Sequence, residues 1–217
     1  MTSGGFDPVS LAVFLALLGM VPLLLVVTSS FLKISVVLML VRNALGVQQV
    51  PPNILVYALS LILSMYVMAP VLNQVANEVE ASPKAMQSTA AIFDLGRRAS
   101  EPMRGFLLKH TDPTRKAFFM ESIHKMWPPQ EAASVRSDHF LILMPAFVVS
   151  QLASAFEVGF LLYLPFIVID LVVSNILLAL GMMMVSPSSI SVPLKLFLFV
   201  SLDGWTRLLQ GLVLSYV

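Results

Sequence analysis

Residues 140–185 read FLILMPAFVVSQLASAFEVGFLLYLPFIVIDLVVSNILLALGMMMV, and in 46 residues only Glu157 and Asp170 carry charge. No alternation of polar and apolar positions breaks the run, so no side of it is designed for water. Such a stretch is a helix in lipid or in an apolar assembly, because only there are its side chains and backbone satisfied together. At 1.5 Å per residue it is long enough for two crossings of a hydrocarbon layer, with Gly159 and Pro165 as the candidate break points.

The rest of the chain follows the same grammar. Of 217 residues 58% are hydrophobic and 12% charged, about half the charge of an ordinary soluble domain. The mean hydropathy is +0.88. Charge is concentrated in residues 73–138, which hold 17 of the 25 acidic and basic side chains. The chain is therefore apolar, polar, apolar. This predicts an N-terminal apolar helical hairpin over 1–73, a polar and mostly helical segment over 74–139, and C-terminal apolar hairpins over 140–217. In the first part, Pro8 to Val41 and Asn53 to Asn73 are the two spans, with Gly46 a helix stop between them. Within the polar segment, Ser100-Glu101-Pro102 and Asp112-Pro113 have the form of helix starts, and Trp127-Pro128-Pro129 that of an end. The opening MTSGGFDPVS has an acid and no base, unlike a secretory signal. Arg42 in the short first loop favours a cytoplasmic loop, which puts the polar segment outside.

Several chemistries are excluded early. There is no cysteine, so no disulfide, thiolate metal site or thiol catalysis. His110, His124 and His139 are spaced 14 and 15 apart, without the one-turn spacing of helical metal ligands. No phosphate-binding loop, nucleophile elbow or basic stripe is present. The expectation is therefore no catalytic residue, no metal, no cofactor and no nucleic-acid partner.

What remains is a set of charges in apolar surroundings: Lys33, Glu157, Asp170, Lys195 and Asp203. Such residues face a partner or a watery path. With both signs present, structural ion pairing is the more natural expectation, and lining a conduit is the functional alternative. A proton relay is disfavoured, because bases stand ready to neutralise the acids. Met182-Met183-Met184, between Gly181 and Ser186-Pro187, suits a helix end. Met repacks around varied shapes, so the triplet fits either ordinary packing or a deformable seal.

Four segments together resemble one known family. They are SSFLKISVVLMLVRNALGVQQVPPN (29–53), PAFVVSQLASAFEVGF (145–160), PFIVIDLVVSNILLALGMMMVSP (165–187) and VPLKLFLFVSLDGW (192–205). They are similar to the type III secretion export-gate family that includes flagellar FliP and injectisome SctR (YscR/SpaP/HrcR). The motif positions carrying the likeness include Pro145, Gln151, Phe156, Gly159, Pro165, Gly181 and Pro187. The short N-terminus looks more like the injectisome branch. The resemblance implies an all-α membrane protein of long kinked hairpins, assembling as a pentamer into a helical, ring-like oligomer in the bacterial inner membrane, partly facing the periplasm. It implies S and T gate subunits, the U switch and the V component as partners, with unfolded polypeptides in transit. It also maps the family's methionine-rich constriction onto Met182, Met183 and Met184, and its intramembrane acid and base onto Asp170 and Lys195. Many flagellar relatives have Glu at the position of Gln151, whereas this chain carries its acid at Glu157, so no particular salt bridge is carried over. The alternatives are a small-solute secondary transporter, which lacks its usual internal repeat here, and a scaffold without a conduit role.

Overall fold

A computed structural model describes residues 19, 24, 26–47, 50–82, 89–182 and 184–217. Among them every regular element is a helix. These are α1 (Phe31–Ala44), α2 (Asn53–Glu80), α3 (Thr89–Lys109), α4 (Pro113–Met126), α5 (Pro129–Ser134), α6 (Phe140–Ala179), α7 (Pro187–Ser201) and α8 (Gly204–Leu214). Two of them, α2 and α6, are long and apolar enough to cross a membrane, and α7 with α8 qualifies as a third if the bent pair counts as one span. The chain is an all-α membrane protein.

Local chemistry explains the helix boundaries. Gly46 stops α1 with φ +74°, a conformation open to glycine at little cost. Asp112 caps α4, its carboxylate accepting the backbone N–H groups of Thr114 (2.8 Å) and Arg115 (3.1 Å), with Pro113 in the first turn. Trp127 ends α4 before Pro128. The expected span from Asn53 is present and continues to Glu80 through Pro70. Of the expected span from Pro8 to Val41, residues 8–18, 20–23 and 25 lie outside the described residues, and α1 forms its C-terminal part.

Two expectations fail. Ser100-Pro102 starts no helix: α3 runs through it, and the Ser100 hydroxyl donates back to the Arg97 carbonyl. Burial of Phe106 and Leu107 in the next turn outweighs the lost rung at Pro102. Nor does the long apolar run break at Gly159 or Pro165, since α6 is one helix of 40 residues. Gly159 is small for another reason. Leu40 of α1 packs against its Cα, and a Cβ there would overlap the leucine side chain. Pro165 keeps its ring on the exposed side, while its neighbour Phe166 is buried and holds the helix to the core.

The chain forms two compact units. One includes Met68–Ser150. Its core joins Phe106 and Leu107 of α3 to Ile142, Leu143 and Phe147 of α6, the Phe106 and Phe147 rings lying 5.8 Å apart. Arg104 braces it, 3.2 Å from Glu101 and 3.8 Å from Asp138, with its guanidinium over the Phe140 ring. The other unit comprises Ser30–Val67 and Gln151–Val217. Its core gathers Ile34, Val37, Leu38 and Val41 of α1 around Ala155 and Phe166 of α6, Phe199 of α7, and Leu208 and Leu212 of α8.

Candidate functional site

The second unit holds all five of the charges singled out above, and it treats them unequally. Lys195 of α7 is buried. Its ammonium donates to the Asp170 carboxylate of α6 at 2.5 Å and to the Ala44 carbonyl at 3.1 Å. Ala44 is the last residue of α1, so Lys195 adds a cation beside Arg42 of the last turn and a donor for the terminal carbonyl. One side chain thereby ties three helices. The same corner is closed by Gly46, whose Cα face is filled by Val192, one turn before Lys195. A side chain at 46 would need both a left-handed backbone and the room Val192 occupies.

Lys33 of α1 is buried too, but among the described residues it has no carboxylate in an ion pair. It donates to the Ser215 hydroxyl at 2.9 Å and lies 5.0 Å from the centre of the Tyr216 ring. The Tyr216 hydroxyl in turn donates to Gln151 of α6 at 2.6 Å. Glu157 is exposed, two turns along α6 from Gln151, and its charge reaches Lys33. Ser215 and Tyr216 had no sequence signal beyond lying in an apolar tail, and a backbone carbonyl such as that of Ala44 never has one. Asp203 is exposed at the α7–α8 break in the left-handed conformation (φ 52°), accepting from the Thr206 hydroxyl at 2.9 Å. It joins neither lysine.

The methionine triplet follows α6. Gly181 (φ +71°) turns the chain, with its N–H bonded to the Leu178 carbonyl and the Met182 N–H to that of Leu177. That pair of bonds is a Schellman ending. Met182 is exposed and Met184 wholly so. Met183 lies outside the described residues. Pro187 opens α7 at its first turn, after Ser186. Of the other motif positions, Phe156 and Pro165 are exposed, Gln151 and Gly159 are buried, and Pro145 lies half-buried in α6. On α6 alone Phe156, Phe160, Leu161, Val168, Leu171, Val172, Ile176 and Leu178 stand exposed.

Outside the apolar helices three carboxyls are perturbed, and at Glu121 the hydrogen bond from Lys125 holds the group below its ordinary range. The Arg115 and Thr114 N–H groups hold Asp112 below its ordinary range. At Asp138 partial loss of water works upward, but Arg136 (2.9 Å) and Arg104 outweigh it and hold the group below its ordinary range. Among the described residues no three His, Asp or Glu side chains converge to hold a metal.

A family model described as the FliP family matches residues 14–212. The Yop proteins translocation protein R of Yersinia pestis is 51% identical over 210 residues, covering 97% of each chain. The harpin secretion protein HrcR of Erwinia amylovora is 46% identical over the full length of both chains. The virulence protein YscR of Salmonella typhimurium is 45% identical over 213 residues, 97% of each. On a match that spans nearly its whole length, the chain belongs to the FliP family, the type III secretion export-gate family that its motifs resemble.

Proposed function

We propose that this chain is a pore-forming subunit of the type III secretion export apparatus, passing unfolded polypeptides across the bacterial inner membrane. Several copies, five by family resemblance, pack around the path with the S and T gate subunits, alongside the U and V components. Part of the assembly faces the periplasm. Met182, Met183 and Met184 seal the path at rest. The role is structural and conductive, with energy supplied elsewhere.

The observation that carries this reading is the exposed methionine turn at the end of a helix that leaves a long row of large apolar side chains uncovered. Such a surface calls for lipid or neighbouring protein. Thioether side chains on a two-ended turn can yield to an extended chain and close again behind it. The Lys195–Asp170 pair supports a locked wall over a proton-coupled solute carrier, since Asp170, one of the two acids such a carrier could titrate beside Glu157, is already neutralised.

The test is ion leak through the assembled gate, with Met182, Met183 and Met184 replaced together by Gly. A rise in resting conductance is expected. Unchanged conductance in a gate that still assembles refutes the seal. Cross-linking a stalled substrate to a photoreactive residue at 184 separates conduit from scaffold, which predicts no cross-link. Solute uptake by liposomes holding the lone subunit would favour a carrier.

A further inference from the structure

The break between α7 and α8 is an unusual place to interrupt a helix. Residues 187–214 are apolar on both sides of it, and together the two helices pass as one membrane span, yet they meet at 63°. Three features mark the bend. Asp203 sits at φ 52°, which for a residue with a Cβ lowers the population roughly tenfold. Gly204 has the Phe199 ring and carbonyl packed where a Cβ would go, so only glycine fits the bent form. At the far end of α8, Ser215 and Tyr216 are held by Lys33 and Gln151.

The bend also has a cost that depends on its surroundings. α8 receives no side-chain cap at its N-terminus. The first N–H groups of a helix have no intrahelical partner, and in hydrocarbon such groups are strongly penalised when uncapped. A continuous helix would satisfy them within the ladder and would relieve Asp203. With eleven residues, α8 is too short to be stable by itself, so its position depends on the packing of Leu208 and Leu212 in the core and on what its two ends hold, and straightening must release both.

We propose that α7 and α8 form a two-state hinge. With the turn at 215–216 clasped by Lys33 and Gln151, the pair is bent. When the clasp lets go in an apolar environment, the pair straightens through Asp203 and Gly204 into one membrane-crossing helix equal in length to α2. Lys33, Gln151, Ser215 and Tyr216 are its clasp, and Asp203 and Gly204 its pivot. The hinge does not depend on the methionine seal.

The chain has no native cysteine, so spin labels at Ser188→Cys and Leu214→Cys report the hinge in the full chain, in lipid nanodiscs and diluted with unlabelled subunit. At 1.5 Å per residue the backbone separation is about 39 Å when straight, and the bend shortens it by about 6 Å. Asp203→Gly, which favours the left-handed pivot, should give the short distance alone. Gly204→Ala with Tyr216→Ala, which crowds Phe199 and opens the clasp, should add the long one. Asp203→Ala alone removes no packed side chain and should move the distribution the same way, which covers the case of a misfolded double variant. One unchanged distance in Asp203→Gly and Asp203→Ala, and in the double variant if it folds, overturns the hinge.

Discussion

Removing either partner of the Lys195–Asp170 pair should have unequal effects, and the inequality follows from burial. The Lys195 side chain is 5% exposed and that of Asp170 44%. Asp170→Asn leaves a buried ammonium facing an amide and the Ala44 carbonyl, close to the case of an uncompensated buried charge, which costs about 3–5 kcal/mol. The retained polar contacts place it near the lower end, at about 3 kcal/mol. Lys195→Met instead fills the buried site with an apolar chain of similar reach and leaves a carboxylate that water already touches. Its cost is about 1–2 kcal/mol, the net worth of the lost hydrogen bonds. In a chain of this size each kcal/mol moves the midpoint about 2–4 °C. Asp170→Asn should therefore lower Tm by about 6–12 °C and Lys195→Met by about 2–8 °C. With Lys195→Met already present, Asp170→Asn should cost little more. Thermal unfolding of the four chains in one detergent is the assay. If Asp170→Asn is no worse than Lys195→Met, or if the two losses simply add, the pair does not lock this corner as described.

Gly159→Ala should destabilise by about 1–3 kcal/mol through overpacking against Leu40, and Leu40→Ala should recover part of that loss in the double variant. Acid should loosen the start of α4. Asp112 is held below its ordinary value of 3.8 when folded, so its contribution is present above that value and is lost as pH falls through the lower, folded one. Amide exchange at Thr114 and Arg115 should accelerate across that window, and Asp112→Asn should flatten the response.

Local signals were legible in the sequence and cooperative ones were not. Gly46 and Asp112-Pro113 act within a turn or so of backbone, so their residue types suffice to predict a stop and a cap. Ser100-Pro102 carried an equally clear local signal and lost to Phe106 and Leu107, whose burial depends on α6, distant in sequence. Gly159 and Pro165 invited a break for the same reason, and contacts with Leu40 and around Phe166 decided otherwise. At the candidate site Asp170 and Lys195 stood out as charges in apolar sequence, and they do meet. Their third partner is a backbone carbonyl, and Lys33 is served by Ser215 and Tyr216, 182 and 183 positions away, a juxtaposition that no spacing rule contains.

One dimension of α6 has a consequence for biogenesis. Forty helical residues have a contour of about 60 Å, against about 30 Å of hydrocarbon. Even at 40°, the top of the range for membrane helices, a straight rod of that length still projects about 46 Å along the bilayer normal. About 16 Å of it must then emerge on one face or the other. That stretch is as greasy as the rest, so a newly inserted copy carries a sticky stub into water. Chaperoning by early association, before the stub can find a wrong neighbour, becomes a requirement of the helix itself.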